Sequence, residues 1–129
     1  MPTYATLIQF TEQGARNFAE TESRAAAFKE MAAGAGVTVK DVYWTLGAYD
    51  GLILVDAPDE QSVTGVMLAL SALGNVRTQT MRAFNESEMG AVVERAAGAS
   101  GGARAANGGG SRRDASAGAG GASRGRRGR

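Results

Sequence analysis

Beyond Gly98 the chain has no Leu, Ile, Val, Met or aromatic residue, and 10 of its last 31 residues are Gly. Any hydrophobic core must be built from residues 1–98, because the remainder has no apolar side chains to offset the entropy of ordering. The sequence therefore predicts one small domain over residues 1–98 and a disordered Gly/Ala/Arg-rich basic tail over residues 99–129. Charge divides at the same place. Residues 1–98 hold 7 Lys and Arg against 12 Asp and Glu, a net of −5, whereas the tail sets 7 Arg against Asp114 alone, a net of +6.

The chain contains no Cys and no His. That removes thiolate and imidazole chemistry, disulfides, and haem or metal held by those side chains. The opening Met1-Pro2-Thr3-Tyr4 lacks a basic segment followed by an apolar one, and no apolar run reaches the roughly 20 residues that span a bilayer. No membrane association is expected, and the cytoplasm is the default location.

Tyr4 to Phe10 reads as a strand, with Tyr4, Thr6, Ile8 and Phe10 on one side and Ala5, Leu7 and Gln9 on the other. Thr11 can cap a helix that runs toward Ala35 and ends at Gly34 and Gly36, with an interruption near Thr21-Glu22-Ser23. Val37 to Leu46 and Gly51 to Ala57 are two further strands around the loop Gly47 to Gly51. Pro58-Asp59-Glu60 opens a helix whose stripe is Val63, Val66, Met67 and Leu70, stopped by Gly74-Asn75. Val76 to Phe84 is a fourth strand with polar groups on both faces. Asn85-Glu86-Ser87-Glu88 caps a short helix, Met89 to Ala97.

The order βαββαβ predicts an α+β, ferredoxin-like fold, with a four-stranded antiparallel sheet and two helices on one face. The other face is left uncovered. Tyr4, Ile8, Phe10 and one of Tyr43 or Trp44 are expected there, and an apolar face of that kind marks an interface. A homodimer or larger oligomer, packed sheet to sheet, would bury it.

Several blocks in order carry a family resemblance: Thr11-x-x-Gly14, Arg24, Tyr43-Trp44-Thr45-Leu46-Gly47-x-Tyr49-Asp50, Ala57-Pro58-Asp59, Leu73-Gly74-Asn75 and Thr78-Gln79-Thr80. With these, Tyr4 to Phe84 resembles the GYD-domain family of small bacterial and archaeal proteins. The resemblance implies a relative of the dimeric α/β barrels, and it implies no established substrate or catalytic residue.

Asp50 is the candidate general base and Arg82 the candidate oxyanion stabiliser of a cofactor-independent enzyme, with Tyr49 and Thr80 as orienters. Tyr4, Thr6, Tyr49, Thr78 and Thr80 are the candidate ligand-binding residues of a pocket on the open sheet face, suited to a small aromatic or anionic molecule. Each has a plainer reading. Asp50 can bond turn amides, and a charged fourth strand can guard a sheet edge. Asp56 and Asp59 flank Ala57-Pro58, but two carboxylates make a poor cation site, and no cofactor or metal is expected. The Arg-Gly pattern of Arg112-Arg113 and Arg124 to Arg129 suits weak contact with nucleic acid, so the alternative function is a scaffold oligomer that displays basic tails.

Overall fold

The alternation seen in the sequence becomes the two sides of a sheet. A computed structural model describes residues 1–106, in which β1 (Thr3–Phe10), β2 (Thr38–Trp44), β3 (Gly51–Asp56) and β4 (Val76–Ala83) form one sheet in the order β2-β3-β1-β4. All three pairings are antiparallel, with Tyr4 opposite Val55 and Arg82, and Ile8 opposite Gly51 and Thr78. This is the ferredoxin-like topology that the element order implied. β2 and β4 are its edges, and β2 carries a bulge between Val39 and Asp41.

Two longer helices cover one face: α2 (Thr21–Gly34) and α3 (Glu60–Ala72). Phe28 and Ala32 from α2 and Val63, Val66 and Met67 from α3 pack with Tyr4, Ile8, Ile53 and Val55 of the sheet to form the core. The faces are thus the reverse of the expectation. Tyr4, Ile8 and Phe10 lie beneath the helices rather than in the open, because burying the larger side chains of β1 removes more apolar surface from water. Thr6 shares that buried side, and its hydroxyl is satisfied by the Thr80 hydroxyl directly across the strands at 2.9 Å.

The first helical stretch breaks earlier than expected. α1 (Glu12–Arg16) stops at Asn17, a 3-10 turn follows over Phe18–Glu20, and α2 then begins at Thr21. Neither Thr21 nor Ser23 caps α2, since their hydroxyls donate backward to Phe18 O (2.5 Å) and Glu20 O (2.9 Å). Gly36, at φ 80°, turns the chain so that the Val37 amide reaches Ala32 O at 2.9 Å and closes α2.

Residues from Asn85 onward form a separate unit. Within it, α4 (Glu86–Ala106) starts with a reciprocal cap: Glu88 N–H donates to Asn85 Oδ1 (2.8 Å) and Asn85 N–H to Glu88 Oε1 (2.9 Å). The helix is longer than the predicted Met89 to Ala97, its alanines offsetting Gly98 and Gly101. The later part of the predicted tail, with Arg112, Arg113 and Arg124, lies outside the described residues. Among the described residues no helix is long and apolar enough to cross a membrane.

Candidate functional site

At the end of β1 the chain turns through Thr11 and docks on the segment that precedes β4. Thr11 N–H donates to Asn75 O (3.0 Å) and its hydroxyl to Gly74 O (2.6 Å), while the same hydroxyl oxygen caps α1 by accepting from Gly14 N–H (3.1 Å). Gly14 is buried against the Asn75 backbone, so close that a Cβ would overlap the Asn75 carbonyl oxygen. Arg24 then ties α1 to α2 by donating to Asn17 O (2.9 Å) and Gly14 O (3.3 Å).

The Gly47–Gly51 turn is bonded with comparable density. Gly47 takes φ 112°, Thr45 Oγ1 donates to Tyr49 O (2.6 Å), and the Thr45 amide reaches Asp50 O (3.0 Å). Asp50 continues the ladder between β1 and β3: its amide donates to Ile8 O (2.8 Å) and its Oδ2 accepts the Phe10 amide (2.7 Å). Tyr49 leans across to β4, its hydroxyl donating to Gln79 Oε1 at 3.0 Å. Tyr49 and Thr78 share a depression of about 580 Å³ with Gln9, Arg77 and Gln79.

Tyr4, Thr6, Thr80 and Arg82 gather at the other end of the β1–β4 pair, on the helix side. Arg82 lies 5.8 Å from the Tyr4 ring centroid and 4.3 Å from that of Phe84, and donates to Thr3 O (3.2 Å) and Ala83 O. Tyr4 Oη is buried and meets no group at hydrogen-bond geometry among the described residues. Burial, and then the nearby Glu60 carboxylate, hold its pKa above the ordinary phenol value, with Arg82 pulling the other way.

The structure does not unite the expected catalytic pair. Asp50 meets β1 at Phe10, whereas Arg82 stands opposite Tyr4, and the six strand positions from one to the other span about 20 Å. Asp56 and Asp59 are also occupied: Asp56 accepts from Thr3 Oγ1 (2.7 Å) and pairs with Lys40 (3.8 Å), and Asp59 caps α3 by accepting the Ser62 amide (2.8 Å). That bond holds the Asp59 carboxyl below its usual pKa.

Two further features are assembled across several elements, the first of them from Arg24 and Trp44 of the family blocks together with residues outside any block. One is a cleft of about 470 Å³ between α2 and the sheet, lined by Phe10, Phe28, Met31, Trp44 and Leu70 together with Arg24. The other is the open sheet face, where Leu7 stands beside Leu52, Ala5 lies between Leu54 and Met81, and Tyr43 adjoins Leu52. Its signal in the sequence is the second alternating set, Ala5 and Leu7 in β1 and Leu52 and Leu54 in β3.

A family model described as the GYD domain matches residues 4–93. The chain belongs to the GYD-domain family. The Gly-x-Tyr-Asp that marks this GYD domain is the Gly47–Asp50 turn. A Thermus thermophilus protein named glutamine synthetase and cystathionine beta-lyase binding protein is 32% identical over 90 residues, which cover 69% of this chain and 95% of that relative. A crystal structure of a Thermus thermophilus protein aligns at 29% identity over 66% of this chain and 95% of its own, with a TM-score of 0.44. A feast or famine regulatory protein from M. tuberculosis, complexed with L-methionine, aligns at 15% identity over 66% of this chain and 51% of its own, with a TM-score of 0.51, a likeness of fold alone.

Proposed function

We propose that this GYD-domain protein is a homo-oligomeric binding module that acts by holding another protein, with copies packed through the open sheet face. The apolar centre of the sheet face that α2 and α3 do not cover, half-buried at Leu7, Leu52 and Leu54 and exposed at Met81, carries the reading. Leu7, Leu52, Leu54, Ala5 and Met81 form a contiguous patch over the three strands β3, β1 and β4, and Gln9, Arg77, Gln79 and Asp41 border it with polar groups. An apolar patch with a polar rim has the anatomy of an interface. A second copy related by a two-fold axis would lay the same leucines against one another, which is the commonest way to close an oligomer.

Protein partners are favoured by the relative named for binding two enzymes, since the alignment spans 95% of that protein. Turnover is disfavoured by distance. A general base and an oxyanion donor must reach one reacting centre, and Asp50 and Arg82 belong to opposite ends of β1. A pocket built from Tyr4, Thr6 and Thr80 would in any case open on the helix side.

Light scattering at micromolar concentration, combined with interferometry against glutamine synthetase and cystathionine beta-lyase of the same organism, tests both halves. The expected outcome is a mass of two or more chains and saturable binding to at least one enzyme. A monomer mass removes the packing of copies, and no binding to either enzyme removes the partner class.

A further inference from the structure

The cleft between α2 and the sheet has the chemistry of a small-molecule site, independent of the open face. Its volume of about 470 Å³ falls within the range of ligand pockets, roughly 300–1,000 Å³. The walls are almost wholly apolar, with Phe10, Phe28 and Trp44 contributing ring surface and Met31 and Leu70 adaptable aliphatic surface. Trp44 is 52% exposed. An indole so placed is accessible to an incoming molecule.

Arg24 is the one charged residue in this lining. It is half-buried, its guanidinium lies 5.8 Å from the Phe10 ring centroid, and it directs two donors to Asn17 O and Gly14 O. A guanidinium has five N–H donors, and two carbonyls fix its plane without neutralising its charge. Among the described residues the contacts of the Arg24 guanidinium are these two carbonyls and the Phe10 ring, and none is with a carboxylate. A cation held by neutral carbonyls beside an apolar cavity is complementary to an anion with an apolar body.

We propose that this cleft binds a small aromatic monocarboxylate, with its ring between Phe28 and Trp44 and its carboxylate on the outstanding N–H groups of Arg24. The assignment differs from the open-face pocket read from the sequence in both place and residues. A purely structural Arg24, holding α1 to α2, would supply the two carbonyl bonds and no anion preference.

The test uses the full chain and two probes of one shape, 3-phenylpropionate and its neutral amide, titrated by calorimetry and by Trp44 fluorescence, the chain's single Trp. The expected result is saturable binding of the acid, with the amide weaker by about tenfold or more. Arg24→Gln should abolish that preference, and Arg24→Lys should restore part of it. Because Arg24→Gln also loosens α1, Trp44→Ala serves as a second variant; it should weaken both probes while the fold, followed by circular dichroism, is retained. Equal affinity for acid and amide, an acid preference that survives Arg24→Gln, or no saturation by the acid overturns the proposal. None of these results bears on the mass of the oligomer or on enzyme binding.

Discussion

The junction between α1 and the start of β4 and the open sheet face are built on opposite plans. Around Gly14, the segments Thr11–Gly14 and Leu73–Asn75 meet backbone to backbone, with side chains committed to carbonyls and amides. Across the sheet, Leu52 and Leu54 are half-buried on the face away from α2 and α3, beside apolar residues of the neighbouring strands. The contrast teaches where information of each kind resides. Recognisable motifs mark places where the chain must close on itself, whereas the surface available to others is written in ordinary leucines.

The strongest attempt to break this contrast is Gly14→Ala. The added methyl meets the Asn75 backbone, which cannot swing aside as a side chain would, and the expected loss is about 3 kcal/mol or more, read from urea denaturation. A variant as stable as the parent would show that the junction is soft. Leu54→Lys should do the reverse: the fold stays, and the mass by light scattering falls from oligomer to monomer, since the ammonium would be buried in the contact. An unchanged mass would place the copies' contact elsewhere.

Asp50→Ala comes next. It removes the acceptor of the Phe10 amide at the end of β1 and should lower stability by about 1 to 2 kcal/mol, with Asp50→Asn recovering part through its amide oxygen. If Asp50→Ala melts with the parent, the carboxylate is not needed by the turn and a site role regains its case. The smallest effect concerns Asp59. Its carboxyl is held below the ordinary value, so it adds stability at pH above that of the unfolded group, and the contribution disappears as pH falls below about 4 and through the lowered folded value. Asp59→Asn should flatten this shallow acid limb of a pH series of melting temperatures; an unaltered limb would assign it to other carboxylates.

The same contrast explains what could be read from the sequence. Helix caps at Thr11, Asp59 and Asn85, the Gly36 stop and the order of strands follow from local chemistry, and each stands where the pattern put it. Which alternating set of β1 faces the helices is not local. Thr6 makes its own set look wet, and only its partner Thr80, 74 positions away, makes its burial affordable. Chemical type pairs Asp50 with Arg82, yet the register that separates them depends on how β4 aligns with β1. The cleft is illegible for a related reason: its rings come from β1, α2 and β2, and although Arg24 and Trp44 stand in the family blocks, nothing in either block shows that they meet.

The strand order also bears on how the protein is made. Thr3 pairs with Ala83, 80 positions later, so β1 leaves the ribosome first and gains its second neighbour last. Until Val76–Ala83 is synthesised, an early strand rich in aromatic and aliphatic residues keeps one row of amides and carbonyls open to any other nascent chain. The safety of each new molecule thus depends on the speed with which its final strand arrives, and polypeptides released before Val76 should accumulate as aggregates rather than as shorter folded domains.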